Sequence, residues 1–251
     1  MSRILVAATL AAVLVLALAG GLAAPPAKAP TAEAAKAPAA GGTPLNIAPD
    51  IEARRAQFVT KPLTADIRIL QPGDATALNH LVAAAEIVHE VYMRQVWAGN
   101  PALAEHVAAL DGPGADAARE YYRLMAGPWD KIEERKPFVG ATPRPAGAGF
   151  YPENMTKGEF EARLAARPAD RAAFTSPFTV IRRNPDKSLR AVPYGKVYAE
   201  LLGKAADQLR SAAGSTASPT LSKFLKLRAD ALLSGDYFAS DMAWMDVEGP
   251  I

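Results

Sequence analysis

The chain has 251 residues, about half of them apolar, which is enough for one good core or a small pair of cores. It contains no cysteine, so disulfides, thiolate metal sites and lipid attachment at a thiol are all excluded. Its formal charge of +2 lies wholly in residues 1–43, where Arg3, Lys28 and Lys36 face Glu33, and the balanced remainder offers no clustered cationic excess for nucleic acid.

The chain opens as an export signal. Arg3 supplies the positive region, residues 4–19 are apolar apart from Thr9, and the small residues around Ala19 and Ala23 suit signal peptidase. Residues 1–23 are therefore read as a signal peptide, giving a periplasmic or extracellular protein with no membrane attachment after cleavage. An uncleaved membrane anchor is the alternative reading of the same stretch. Gly21 stands where a lipoprotein would carry its cysteine. Residues 24–45 are an Ala/Pro-rich linker with nothing to bury, followed by a helical domain over 46–251.

Asp74 is expected to cap a helix in which Leu78, Leu81, Val82, Ala85, Val88, Tyr92 and Val96 recur at three- and four-residue steps. Gly99-Asn100-Pro101 ends it. Short helices follow over 101–110 and 115–125, closed by Asp111-Gly112-Pro113-Gly114 and by Gly127-Pro128. Residues 136–154, rich in proline and glycine at their start, predict an ordered loop. Thr156 and Glu159 form a capping box for the next helix. A β-hairpin is predicted from residues 178–182 and 189–192 around the turn Asn184-Pro185-Asp186-Lys187. Pro193 opens a helix carrying Val197, Leu201, Ala205, Leu209 and Ala212. Ser218 caps the last one, with Pro219 at its first position and Gly235 as its stop. The fold class is mainly α (α+β), a multi-helix domain with one small antiparallel hairpin or sheet.

Chemistry is sparse. The histidines are His80, His89 and His106, and His89-Glu90 lacks a second histidine one turn on, where Met93 and Arg94 stand. His80 and His89 are nine residues apart, out of phase on one helix. There is no Gly-x-Ser-x-Gly elbow and no glycine loop followed by Lys-Ser or Lys-Thr. Ser176 and Ser240 have no special context, and Glu133-Glu134 reads as a solvated face. The cluster of acids and aromatics over 236–244 is either a packing junction or part of a cleft, with Asp241 and Trp244 facing a ligand.

Several segments together resemble a known family. They are Arg94-Gln95-Val96-Trp97-Ala98-Gly99-Asn100-Pro101, Gly127-Pro128-Trp129-Asp130, Phe150-Tyr151-Pro152-Glu153-Asn154-Met155-Thr156 and Ser176-Pro177-Phe178-Thr179-Val180-Ile181. In order and spacing they resemble the secreted bacterial relatives of dipeptidyl-peptidase III, from about residue 46 onward. The resemblance implies a two-lobed zinc exopeptidase that cleaves peptides, its metal held by a His-Glu-x-x-(x)-His helix and a later glutamate. No position here matches those zinc ligands or the general base, so no catalytic or metal residue is carried over. Tyr151, Asn154, Asp241 and Trp244 are the candidates for a substrate cleft. Because the apolar run over 240–251 breaks off at Gly249-Pro250-Ile251 as if a strand were about to begin, the chain is read as the amino-terminal, non-zinc part of such an enzyme. Its partner would be the missing carboxy-terminal catalytic half, and the chain would be inactive alone. Some relatives carry names mentioning Nudix hydrolase, but no Nudix glycine-and-glutamate box is present. The alternative is a complete exported helical module that binds a peptide or protein without catalysis.

Overall fold

The computed structural model describes residues 45–249, so the expected signal peptide, nearly all of the expected linker and the closing Pro250-Ile251 lie outside the described residues. The described chain falls into two compact units, one of residues 62–91 and 192–249, the other of 45–61 and 92–191. The architecture is mainly helical with one two-stranded antiparallel sheet, as the periodicities predict. No helix among the described residues is long and apolar enough to cross a membrane.

Ten α-helices and two strands follow in order: α1 (Ile51–Ala56), α2 (Pro72–Val96), α3 (Asn100–Ala108), α4 (Ala115–Met125), α5 (Lys157–Ala166), α6 (Arg171–Phe174), β1 (Thr179–Arg183), β2 (Leu189–Pro193), α7 (Tyr194–Val197), α8 (Ala199–Ser215), α9 (Pro219–Ser234) and α10 (Phe238–Met245). The first unit is a helical stack built on alanine. α8 and α9 are joined by only three residues and pack closely. Ala205, Ala206, Ala212 and Ala229 are almost inaccessible, and their small side chains let the helix backbones approach. Leu209, Leu221, Phe224 and Leu225 fill the layers between them, and Ala77 and Ala84 of α2 close the cluster.

Two boundaries differ from the sequence reading. α2 begins at Pro72, so Asp74 lies inside its first turn rather than capping it. Its carboxylate is buried and accepts a hydrogen bond from Thr216 Oγ1 at 2.6 Å, tying α2 to the end of α8. The helix after Pro193 breaks at Tyr198 into α7 and α8. Thr156 does cap α5, accepting from the Glu159 N–H at 3.1 Å, and Ser218 caps α9 likewise at 3.2 Å. Glu159's carboxylate is held by Arg183 of β1 at 2.5 and 3.1 Å.

The second unit buries one face of α4. Ala117, Ala118, Tyr121, Tyr122 and Met125 recur at helical spacing and pack on Ile51, Val107, Phe138 and Val139. A satellite cluster of Leu164, Phe174, Ile181 and Leu189 joins α5, α6 and the hairpin. Residues 136–154 form the predicted loop, pinned by isolated antiparallel bridges pairing Ile47 with Val139 and Trp129 with Pro137.

Candidate functional site

The four segments picked out by their residue types converge in the second unit. Trp97 follows α2 and lies 8% exposed, and its ring covers Gly99, where a Cβ would stand 2.5 Å from the ring atoms. Its Nε1 donates to Glu153 at 3.0 Å, and its ring meets Trp129 edge to face at 5.5 Å between centroids. Trp129 Nε1 donates in turn to the Thr142 carbonyl at 2.8 Å. Asn100, fully buried, donates from its amide nitrogen to the carbonyls of Met93 and Ala126, and its amide oxygen accepts from the Tyr122 hydroxyl. Gly149 N–H donates to the Gln95 carbonyl at 2.8 Å, and the Phe150 carbonyl accepts from Ile181 N–H at 2.8 Å. The Trp97–Glu153 bond, the Trp97–Trp129 ring contact and the Phe150–Ile181 backbone bond link the four segments to one another, and the remaining bonds tie them to neighbouring chain.

Asp130 is the polar centre of this assembly. Only 1% exposed, it accepts from the N–H groups of Ile132 at 2.8 Å and Glu133 at 3.0 Å, from Tyr121 Oη at 2.8 Å and from Arg54 Nη1 at 2.9 Å. Burial alone would raise its pKa. The two backbone donors, the tyrosine and the guanidinium outweigh burial and hold the carboxyl below the usual carboxylate range. Burial and the hydrogen bond to Asp130 push the Tyr121 hydroxyl up to about 12. The two backbone bonds start a tight turn that closes where Asp130 N–H meets the Lys136 carbonyl at 2.9 Å. Within it, Glu134 and Arg135 hold consecutive left-handed conformations, φ 48° and 58°.

Beside the turn lies a cavity of about 270 Å³. Buried Met125, Trp129 and Ala148 line it, with the partly exposed Tyr92, Gln95, Val96 and Phe150. Three cations complete the lining, Lys131 and Arg135 exposed and Arg144 partly buried. Lys131 Nζ donates to Tyr92 Oη at 3.2 Å. Burial, with Arg135 nearby, pushes the Arg144 guanidinium down from its ordinary value. No carboxylate lines the cavity. The arrangement can hold an anion.

The predicted cleft residues are divided between the units. In the second, Tyr151 packs edge to face on Phe160 at 5.9 Å, and exposed Asn154 accepts from Arg183 Nη2 at 3.1 Å. In the first, Asp241 accepts from Arg228 Nη2 at 2.6 Å. That buried guanidinium lies over the rings of Phe224 and Tyr237 at 5.3 and 5.2 Å. Trp244 is 56% exposed, on a helix that also presents Phe238, Met242 and Met245 to solvent. His80 and His89 both lie on α2, where His80 Nδ1 pairs with Gln208 Oε1 at 2.8 Å, and His106 is exposed on α3. Among the described residues no group of three His, Asp or Glu side chains stands where it could hold a metal ion. Sequence reasoning singled out neither Asp130 nor Asn100 individually. It also missed the trio Lys131, Arg135 and Arg144, which no local spacing marks.

No protein-family model matches the chain. Among solved structures, it superposes on dipeptidyl-peptidase III of Caldithrix abyssi with a TM-score of 0.75 and 43% identity, over 78% of this chain and 37% of that one. It superposes on dipeptidyl-peptidase III of Corallococcus sp. strain EGB with a TM-score of 0.76 and 36% identity, over 80% of this chain and 38% of that one. Among curated proteins it is 28% identical over 243 residues to Nudix hydrolase 3 of Arabidopsis thaliana, covering 76% of this chain and 32% of that protein. The chain thus spans little more than a third of the length of these solved relatives and about a third of the curated one.

Proposed function

We propose that this chain, a relative of dipeptidyl-peptidase III, supplies scaffold and substrate-cleft surface to an exported zinc-dependent dipeptidyl peptidase, and not its metal centre. The observation that carries the reading is the superposition on two dipeptidyl-peptidase III structures at 43% and 36% identity. The name of the Arabidopsis relative points to Nudix hydrolysis, but the glycine-and-glutamate box is missing from this sequence.

The donor set does not fit zinc. Three histidines and no cysteine are the whole imidazole and thiolate inventory, His80 is engaged by Gln208, and among the described residues no three His, Asp or Glu side chains stand where they could hold a metal ion. No hydrolytic step is therefore derived from these residues. Their part in the proposal is to hold the second unit's segments in register around Trp97, Trp129 and Asp130, with Tyr151 and Asn154 of that unit, and separately Asp241 and Trp244 of the first, as candidate peptide contacts. The zinc-bearing half is the proposed partner, and the apolar face of α10, with Phe238 75% and Met245 74% exposed, is a surface it would cover. Residues 1–23 direct export to the periplasm or beyond, which predicts a mature chain starting near Ala24.

The test is a metal assay and a dipeptidyl-arylamide hydrolysis assay on the purified chain. Sub-stoichiometric zinc and no turnover are expected, and turnover by a sample containing only this chain would overturn the reading. The second reading, a binding module without catalysis, is favoured by one observation, the cation-lined cavity. A module should unfold cooperatively as a defined species without binding hydrophobic dye, whereas the scaffold reading expects dye to bind the α10 face.

A further inference from the structure

We infer that the cavity lined by Met125, Trp129, Phe150, Lys131, Arg135 and Arg144 is a binding site for a small carboxylate carrying an apolar or aromatic body. The inference stands apart from the peptidase reading and would hold for a scaffold or a module alike. Its first support is charge. The chain is otherwise balanced, and Arg54, Arg183, Arg210 and Arg228 each hold a carboxylate. Around the cavity three cations come together, and among the described residues no carboxylate forms an ion pair with any of them. Gathering like charges is unfavourable unless an anion joins them.

The second support is the backbone. Glu134 and Arg135 both adopt the left-handed region, which costs non-glycine residues free energy and persists only where the surroundings enforce it. The turn that contains them is held at its start by Asp130's bonds to Ile132 and Glu133 and at its close by the backbone bonds of Lys136 to Glu133 and Asp130. The strained turn brings Lys131 and Arg135 to the same cavity as Arg144. The third support is the remaining lining. Met125, Trp129 and Phe150 offer apolar surface that a bare inorganic anion leaves unused. A volume of about 270 Å³ falls just under the usual range for small-molecule pockets, about 300–1,000 Å³, and suits one amino-acid-sized body. A planar guanidinium suits the carboxylate in a two-pronged contact, with Lys131 as a point charge.

The test is calorimetric titration of the full chain with N-acetylphenylalanine, with N-acetylphenylalanine amide as the uncharged control and inorganic phosphate as the bare-anion control. The carboxylate should bind saturably and weaken as salt rises. The amide should bind at least about tenfold more weakly, and Arg144→Gln should lose about tenfold, the worth of one charge-assisted hydrogen bond. Arg144→Lys should recover part of that loss. The thermal midpoint of each variant shows whether it folds, and Lys131→Gln, at an exposed position, repeats the reading if Arg144→Gln does not. The inference is overturned by absence of saturable binding, by an amide or phosphate that binds as tightly as the carboxylate, or by folded Arg144→Gln and Lys131→Gln variants that bind unchanged.

Discussion

Asp130 shows how much one side chain can organise. It is nearly inaccessible yet ionised, and four donors satisfy it. Replacing it by alanine leaves Tyr121 and two backbone N–H groups without their acceptor. Arg54 keeps Asp50 at 3.0 Å, which limits the damage. The expected loss is about 3 kcal/mol, to be read from the urea midpoint. The same carboxylate makes the unit acid-sensitive. Its folded-state pKa lies below the unfolded value of about 4. The stability it contributes is therefore complete above that value and lost as pH falls through the lower one. In Asp130→Asn the unfolding midpoint should fall less between pH 6 and pH 3 than in the parent, and parallel slopes would refute the assignment. Gly127-Pro128 was readable as a helix stop and Gly127-Pro128-Trp129-Asp130 as part of the family resemblance, but nothing local says which acid in the chain is buried.

Helix ends and periodic faces were readable because a cap or an apolar stripe is settled within a turn or two of chain. Thr156, Ser218 and Gly235 act where their chemistry predicts. Asp74 did not, because α2 already begins at Pro72 and the Asp74 carboxylate accepts from the partly buried Thr216 hydroxyl. Close approaches between elements give sharper tests. A Cβ at Gly149 would strike the Arg94 carbonyl oxygen near the end of α2, which cannot move aside as a side chain can. Gly149→Ala should cost about 1–3 kcal/mol. At Gly203 in α8 nothing lies within 4 Å of the added methyl, and Gly203→Ala should stabilise by roughly 0.5–1 kcal/mol. Thermal melts of the pair check both signs. On α10, Asp241→Asn would leave the buried Arg228 guanidinium without its carboxylate, between two rings. A loss of about 1–3 kcal/mol is expected in the same assay.

At the scale of the whole molecule, the proposed scaffold role rests on the similarity to dipeptidyl-peptidase III over little more than a third of those chains. Zinc bound one to one by this chain, measured by elemental analysis after dialysis, would contradict that role. The sequence by itself determined the helical class, the hairpin and the lack of cysteine, because composition and short-range periodicity need no distant partner. It also carried the family resemblance, since the four segments keep their order along the chain. Only tertiary structure decided that those segments meet around Trp97 and Trp129, that Asp130 and Asn100 are buried and satisfied, and that Lys131, Arg135 and Arg144 share one cavity. The physical reason is that burial and charge proximity depend on residues far apart in the chain, and a one-dimensional pattern does not record which of them become neighbours.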